Sequence, residues 1–330
     1  MFYACLVSGG YLLYYLFIRA RKPRLVFNKT HTGFWSGKSF NSVTKKIDSS
    51  GDSNSNFKKS TTPNLQNSSV FSKLIPSTLF KIWRPPFFIH NCHAQNLFYE
   101  GIILQSPEIN YTYRKKFTSH LDNGVFAVDV LENATANNNY DEIVLVLPGI
   151  TGKSPDPYIK RIVHLAQKIN KNTLVACMIN RGYDGLTIPE NASPGRLQNA
   201  CNSNDLIEIL KFLAEKYGAK KTRTVAFSYG GIQTRIFLGR VPKSDENENW
   251  YPRASICASL PLNLKDCIFK RFEGSWFHGQ FYNRVLCSRM SALLERHGLV
   301  EKDSLKDCTS LRQIDDRITA KVWGYKKVKM

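Results

Sequence analysis

Ala226-Phe227-Ser228-Tyr229-Gly230-Gly231 is the stretch that decides the fold. Thr222 to Phe227 before it reads as a short buried strand, and the spacing after it predicts a helix over Gly231–Gly239. A serine on the turn between a strand and a helix is the setting of a nucleophile elbow, where a strained backbone lifts the hydroxyl clear of the sheet. Such a turn needs small residues two positions before and two after the serine. Gly230 meets that need, and Ala226 stands where a first glycine is usual. A lone S-x-G says little; the weight comes from the strand–turn–helix setting and from the two strand–helix units upstream.

Those units are legible in the pattern. Ile143 to Leu147 is a continuous apolar strand, followed by an amphipathic helix over Tyr158–Ile169 with Ile162, Leu165, Ala166 and Ile169 on one face. Thr173 to Ile179 is a second buried strand, and Asp205 to Tyr217 a helix with Leu206, Leu210, Leu213 and Tyr217 at helical spacing. Ala254 to Leu260 reads as a further strand, and residues 266–312 as a mostly helical insertion, with Arg289–Arg296 its clearest piece. Continuous apolar strands alternating with helices predict a mostly parallel sheet with helices on both faces, that is, an α/β protein.

A second site signal is Leu147-Pro148-Gly149-Ile150-Thr151-Gly152, again between a strand and a helix. In a serine hydrolase of this architecture that loop donates one backbone N–H to the oxyanion, and the residue after the nucleophile donates the other. The donors here are Ile150, give or take one residue, and Tyr229. No G-K-[ST] ends the loop, which excludes a phosphate-binding P-loop.

In these residues the chain resembles the membrane-anchored α/β-hydrolase-domain lipases and esterases, over about Trp83 to Tyr325. The resemblance runs through Trp83-Arg84-Pro85, His93-Ala94-Gln95-Asn96, Asp122-Asn123-Gly124 and Val128-Asp129-Val130. It continues through Pro148–Gly152 with Tyr158-Ile159, Asn180-Arg181-Gly182, Asp205-Leu206 and the elbow, and ends in Asp315-Asp316 with Thr319, Trp323, Gly324 and Tyr325. It implies an α/β-hydrolase fold with a helical cap and hydrolysis of carboxylic esters in lipids, of the acylglycerol lipase or phospholipase type. Ser228 is the implied nucleophile, Ile150 and Tyr229 supply the oxyanion amides, and no cofactor or metal is needed. It also implies a Ser–Asp–His triad, yet the D-D-P and G-G-H blocks that carry the acid and the histidine are absent. The expectation is therefore no triad acid or histidine in this chain and an incomplete domain over 77–330, missing the last strands. His278 and His297 follow Ser228 but fall in the expected cap. Pairing Asp266 with His278, or Glu295 with His297, is the lesser alternative. A serine without a base is a weak nucleophile, so two rivals stand beside an active enzyme: an inactive fragment, and a pseudoenzyme that acts as a membrane-bound binding protein.

Charge and composition frame the rest. The chain has 330 residues, 46 Lys+Arg against 26 Asp+Glu, a formal charge of +20, and 42% hydrophobic residues, enough for a core. Met1 to Ile18 carries no charge, and Arg19, Arg21, Lys22 and Arg24 follow at once. Eighteen helical residues reach roughly 27 Å, about the thickness of a bilayer's hydrocarbon. Residues 1–20 are expected to be an uncleaved single-pass anchor, with a re-entrant segment as the alternative, in an endomembrane such as the endoplasmic reticulum. The flanking charges favour a cytoplasmic C-terminal side, against which stand sequons at Asn28, Asn67, Asn110, Asn133 and Asn191. Residues 21–76, rich in Ser, Asn and Lys, are expected to be a basic flexible linker. That places much of the charge beside anionic lipid, and nucleic acid is not the expected partner, since no nucleic-acid motif accompanies it. The eight cysteines form no C-x-x-C pair and read as buried single thiols. His90, Cys92 and His93 are too close together to close a zinc tetrahedron alone.

Overall fold

The computed structural model describes residues 107–133, 139–189, 197–263 and 278–320. The chain divides into two units, Met1–Leu104 and Gln105–Met330, and all described residues belong to the second. The expected anchor and linker, the blocks from Trp83 to Asn96 and from Trp323 to Tyr325, His90, Cys92, His93 and Asp266 lie outside the described residues.

Six strands form one sheet: β1 (Tyr113–Thr118), β2 (Val125–Leu131), β3 (Glu142–Leu147), β4 (Thr173–Ile179), β5 (Thr222–Phe227) and β6 (Ala254–Ala258). Their order is β1-β2-β4-β3-β5-β6. β4, β3, β5 and β6 run parallel, while β2 is antiparallel to both β1 and β4. Helix α1 (Pro157–Ile169) joins β3 to β4, α2 (Asn204–Tyr217) joins β4 to β5, and α3 (Tyr229–Arg240) joins β5 to β6. This is the mostly parallel, doubly covered sheet of an α/β protein.

Period-two alternation divides each central strand between two cores. Ile143, Leu145 and Leu147 of β3 and Leu174, Ala176 and Met178 of β4 face α2 and α3, packing on Leu206, Ile209, Leu210, Leu213, Tyr217 and Phe237. Val146, Val175, Cys177 and Ile179 face α1, packing on Ile159 and Val163. β3 and β4 read as unbroken apolar runs because both of their faces are covered.

The apolar stripe of α1 differs from expectation. Ile159 and Val163 are fully buried and Ile162 and Ala166 partly so, while Leu165 is 49% and Ile169 85% exposed. The stripe that meets the sheet is Ile159, Ile162, Val163 and Ala166. β6 also stops at Ala258, where Ser259 takes a positive φ of 54°. It is the edge among the described strands, and Ile256 on it is 65% exposed.

In the expected cap, a π-helical turn (His278–Asn283) runs into α4 (Arg284–Arg296), followed by α5 (Leu311–Ile314) and a second π turn (Asp315–Thr319). Cys287, Met290 and Leu294 of α4 pack with Leu197, Leu305, Cys308 and Ile314 in a third cluster. Cys177, Cys287 and Cys308 are buried free thiols, while Cys257 is only partly buried and Cys201 is exposed.

Two ion-pair clusters, one half-buried and one buried, tie the β1–β2 hairpin to the loops at the far ends of β3 and β4. Arg114 forks onto Asp129, which also accepts from Ser154 Oγ, and reaches Asp184 beyond β4. Arg181, only 1% exposed, forks onto Asp205 at 2.6 and 2.7 Å and reaches Asp122 at 2.7 Å. Gly124 is required there: a Cβ on it would lie 2.2 Å from an Arg181 nitrogen.

Candidate active site

β3 lies between β4 and β5, and the chain leaves β3 and β5 in opposite directions across the sheet. In open parallel sheets that switch point leaves a crevice beyond the strands' carboxyl ends, the usual place for a ligand. Both motifs singled out in the sequence end there, since β3 and β5 are in register with Leu147 opposite Ala226.

Ser228 follows β5 directly, with φ 47° and ψ −104°. An L-residue adopts such angles only when its surroundings impose them. Its N–H donates to Ala258 O at 3.0 Å, tying the turn to the end of β6. Its carbonyl accepts from Ile232 N–H at 3.1 Å, which starts α3 at once, two residues earlier than the pattern predicts. Thr234 Oγ1 donates to Gly230 O at 2.9 Å. A Cβ on Gly230 would meet Leu147 O at 2.6 Å and Pro148 O at 2.7 Å, so the elbow presses against the end of β3. Ala226, fully buried, shows that a methyl fits at the position before the turn. The result is an exposed Ser228 at the N-terminal, electropositive end of a twelve-residue helix.

The loop after β3 sits against the elbow. A Cβ on Gly149 would lie 3.9 Å from Ser228 Cβ. Gly230 N–H donates to Pro148 O at 3.1 Å, and Gly152 N–H closes a turn on Gly149 O at 3.0 Å. Gly149 N–H is taken by the Tyr158 hydroxyl at 3.1 Å. The N–H groups of Ile150 and Tyr229 have no acceptor among the described residues. Ser228, Ile150 and Tyr229 are thus brought to one crevice. The Tyr229 hydroxyl is buried, and burial pushes that phenol well above its usual range, so its side chain stays neutral. Its contribution to chemistry is therefore its backbone.

His297, at the end of α4, is not delivered to the serine. Its Nε2 lies 2.8 Å from Gly182 O, in the loop after β4, on the far side of β3 from the elbow. Glu295 accepts from Asp303 N–H at 3.0 Å, and no hydrogen bond joins it to His297 among the described residues. Ser228 Oγ makes no hydrogen bond among the described residues, and the side chain of His278 lies outside them. Sequence reasoning missed two residues of the site, Tyr158 and Gln198, whose amide donates to Ile150 O at 2.9 Å. Tyr158 stood in a matched block without a role, and a single glutamine before a helix carries no local signal.

No family model matches the chain. Among curated proteins it is 25% identical to a phospholipase ABHD3 of Bos taurus over 66% of this chain and 52% of that one. It is 24% identical to the putative esterase YheT of Escherichia coli over 71% and 66%, and 26% identical to a monoacylglycerol lipase of Saccharomyces cerevisiae over 56% and 41%. The chain spans about half the length of the phospholipases it matches. Among solved structures, a Pyrococcus furiosus esterase aligns with a TM-score of 0.37 at 17% identity, over 52% of this chain and 64% of that one.

Proposed function

We propose that this chain, a member of the abhydrolase lipase and esterase family, is a serine hydrolase of carboxylic esters in lipids. The observation that carries the reading is the strained, exposed Ser228 in the crevice between β3 and β5, with two unengaged backbone amides beside it. Ser228 Oγ adds to the ester carbonyl carbon, and the proton it loses passes by way of water to the departing alkoxide oxygen, since no side chain bonds Ser228 Oγ among the described residues. The carbonyl electrons collect on oxygen, where the Ile150 and Tyr229 N–H groups stabilise them. Two such donors are typically worth several kcal/mol. Collapse expels the alcohol and leaves an acyl-serine, and water then releases the acid and restores Ser228. The relatives' names, phospholipase and monoacylglycerol lipase, favour an acylglycerol or phospholipid substrate.

The test is covalent labelling. A fluorophosphonate probe is expected to label the wild-type chain and to leave Ser228→Ala unlabelled; an unlabelled wild type, or a labelled variant, overturns the reading. The second reading, a membrane-bound binding protein that keeps the crevice without turnover, rests on the absence of a hydrogen bond on Ser228 Oγ among the described residues. It predicts retention of a lipid ester with no label.

The same reading extends to residues 1–20 as a membrane anchor and 21–76 as a basic tether, which place the domain at an endomembrane surface near its substrate. The support is the uncharged run Met1–Ile18 followed by Arg19, Arg21, Lys22 and Arg24. Among the described residues no helix is long and apolar enough to cross a membrane. Alkaline carbonate is expected to leave the full chain in the membrane pellet, and its release would refute the anchor.

A further inference from the structure

We infer that Gln198 is a positioning residue that holds the oxyanion loop in its working conformation. The chemical consequence rests on the serine-hydrolase reading of Ser228; the geometry does not. Gly149 to Gly152 form a four-residue turn closed by Gly152 N–H on Gly149 O. Its first peptide is anchored on both sides, by Tyr158 on Gly149 N–H and by Gly230 on Pro148 O. The central peptide of the turn, Ile150–Thr151, is the one that rotates when a turn changes type, and its rotation swings the Ile150 carbonyl and the Thr151 N–H, one residue along from the Ile150 N–H, through about a half-circle at little cost to the rest of the chain. Among the described residues its one anchor is Gln198, whose Nε2 donates to Ile150 O at 2.9 Å.

The rest of the network settles which way the Gln198 amide faces. A carbonyl oxygen only accepts, so the amide nitrogen, not Oε1, must face Ile150. The second hydrogen of that nitrogen goes to the Tyr183 hydroxyl at 3.0 Å. Tyr183 in turn donates its own proton to Met290 Sδ at 3.5 Å, which leaves the phenol oxygen to accept. Donors and acceptors thus run in one direction, Gln198 to Tyr183 to Met290, and the last of these belongs to α4. The Ile150 side chain packs on the same cluster as Leu197 and Met290. Gln198 is 9% exposed, so water does not compete freely for these bonds. The loop that presents the oxyanion amides is therefore referenced through one side chain to the cap helix as well as to the sheet.

The test compares the wild type with Gln198→Met, which keeps the shape and removes both donors. The rate of fluorophosphonate labelling at Ser228 is expected to fall about ten-fold or more. The melting temperature is expected to fall by no more than about 5 °C. Amide exchange in the peptide spanning Leu147 to Tyr158 is expected to quicken. A variant that merely loosens the fold would melt earlier and label at the wild-type rate once folded; labelling at that rate overturns the inference. If the wild type itself is not labelled, the hydrolase reading fails and exchange alone decides: unchanged protection of the bonded amides of Gly149 and Gly152 overturns the positioning role, and lost protection supports it. Should Gln198→Met fail to fold, Gln198→Asn, which keeps a donor but pulls it back by one carbon, is measured by the same criteria.

Discussion

Ser228→Gly is expected to abolish fluorophosphonate labelling and at the same time to raise the stability of the fold. With φ 47° and ψ −104°, Ser228 holds a conformation that side chains rarely adopt. Strain of this kind costs about 1–3 kcal/mol at a single residue. Glycine adopts the same angles freely, though its greater freedom in the unfolded chain takes back roughly 0.5–1 kcal/mol. The net expectation is a gain of about 1 kcal/mol, read as a higher denaturant midpoint with unchanged slope. Ser228→Ala provides the contrast, because it removes the hydroxyl but keeps the Cβ that makes the turn strained. It should lose labelling equally and gain no stability. If glycine and alanine variants unfold at the same midpoint, the elbow is not where the strain is held.

Arg181→Met is expected to give the largest loss of stability, about 3–5 kcal/mol. The guanidinium is 1% exposed and engages two carboxylates, Asp205 and Asp122. Removing it leaves Asp205 buried with no counter-charge. Lysine should not rescue it, since an ammonium cannot reproduce the fork onto Asp205 or the third bond to Asp122. The loss should also depend on pH. Burial, and to a lesser extent the charge of Asp122, push the Asp205 carboxyl up and Arg181 pulls it down, so without Arg181 only the upward effects remain. A carboxyl whose folded pKa lies above its unfolded value contributes stability below the unfolded pKa and loses it as pH rises through the folded one. The variant should therefore recover part of its deficit relative to wild type on acidification. Chemical denaturation at pH 5 and at pH 8 checks this, and a deficit that stays constant or grows toward acid would show that the unpaired carboxylate is not its source. Adding Asp205→Leu to Arg181→Met should restore part of the loss, because an apolar pair need not be compensated.

Much of the sheet could be read from the residues alone. Thr173–Ile179 and Thr222–Phe227 form strands with the bounds their apolar runs predict, and α2 buries Leu206, Leu210, Leu213 and Tyr217 as their spacing requires. The position of Ser228 and of the Pro148–Gly152 loop was equally legible, because a nucleophile elbow and its neighbour are local devices: a strand, a tight turn, a small residue and a helix start within a few positions. The face of α1 differs from its apolar pattern by a fraction of a turn, since several apolar residues allow more than one stripe and only the sheet beneath selects Ile159 and Val163.

What the residues determined by themselves, then, is the set of elements and the serine at the end of the fifth strand. The tertiary structure alone decided the order β1-β2-β4-β3-β5-β6, which brings the turn after β3 beside the turn after β5, and the placement of His297 on Gly182 rather than on Ser228. It alone gave Arg181 two acids, one from the β1–β2 turn and one from α2, and gave the Ile150 carbonyl its partner in Gln198. Local patterns arise from dihedral preference and burial period, which act within a few residues. Strand order and ion-pair choice arise from which buried surfaces and charges satisfy one another across dozens of residues, and no short stretch of chain carries that information.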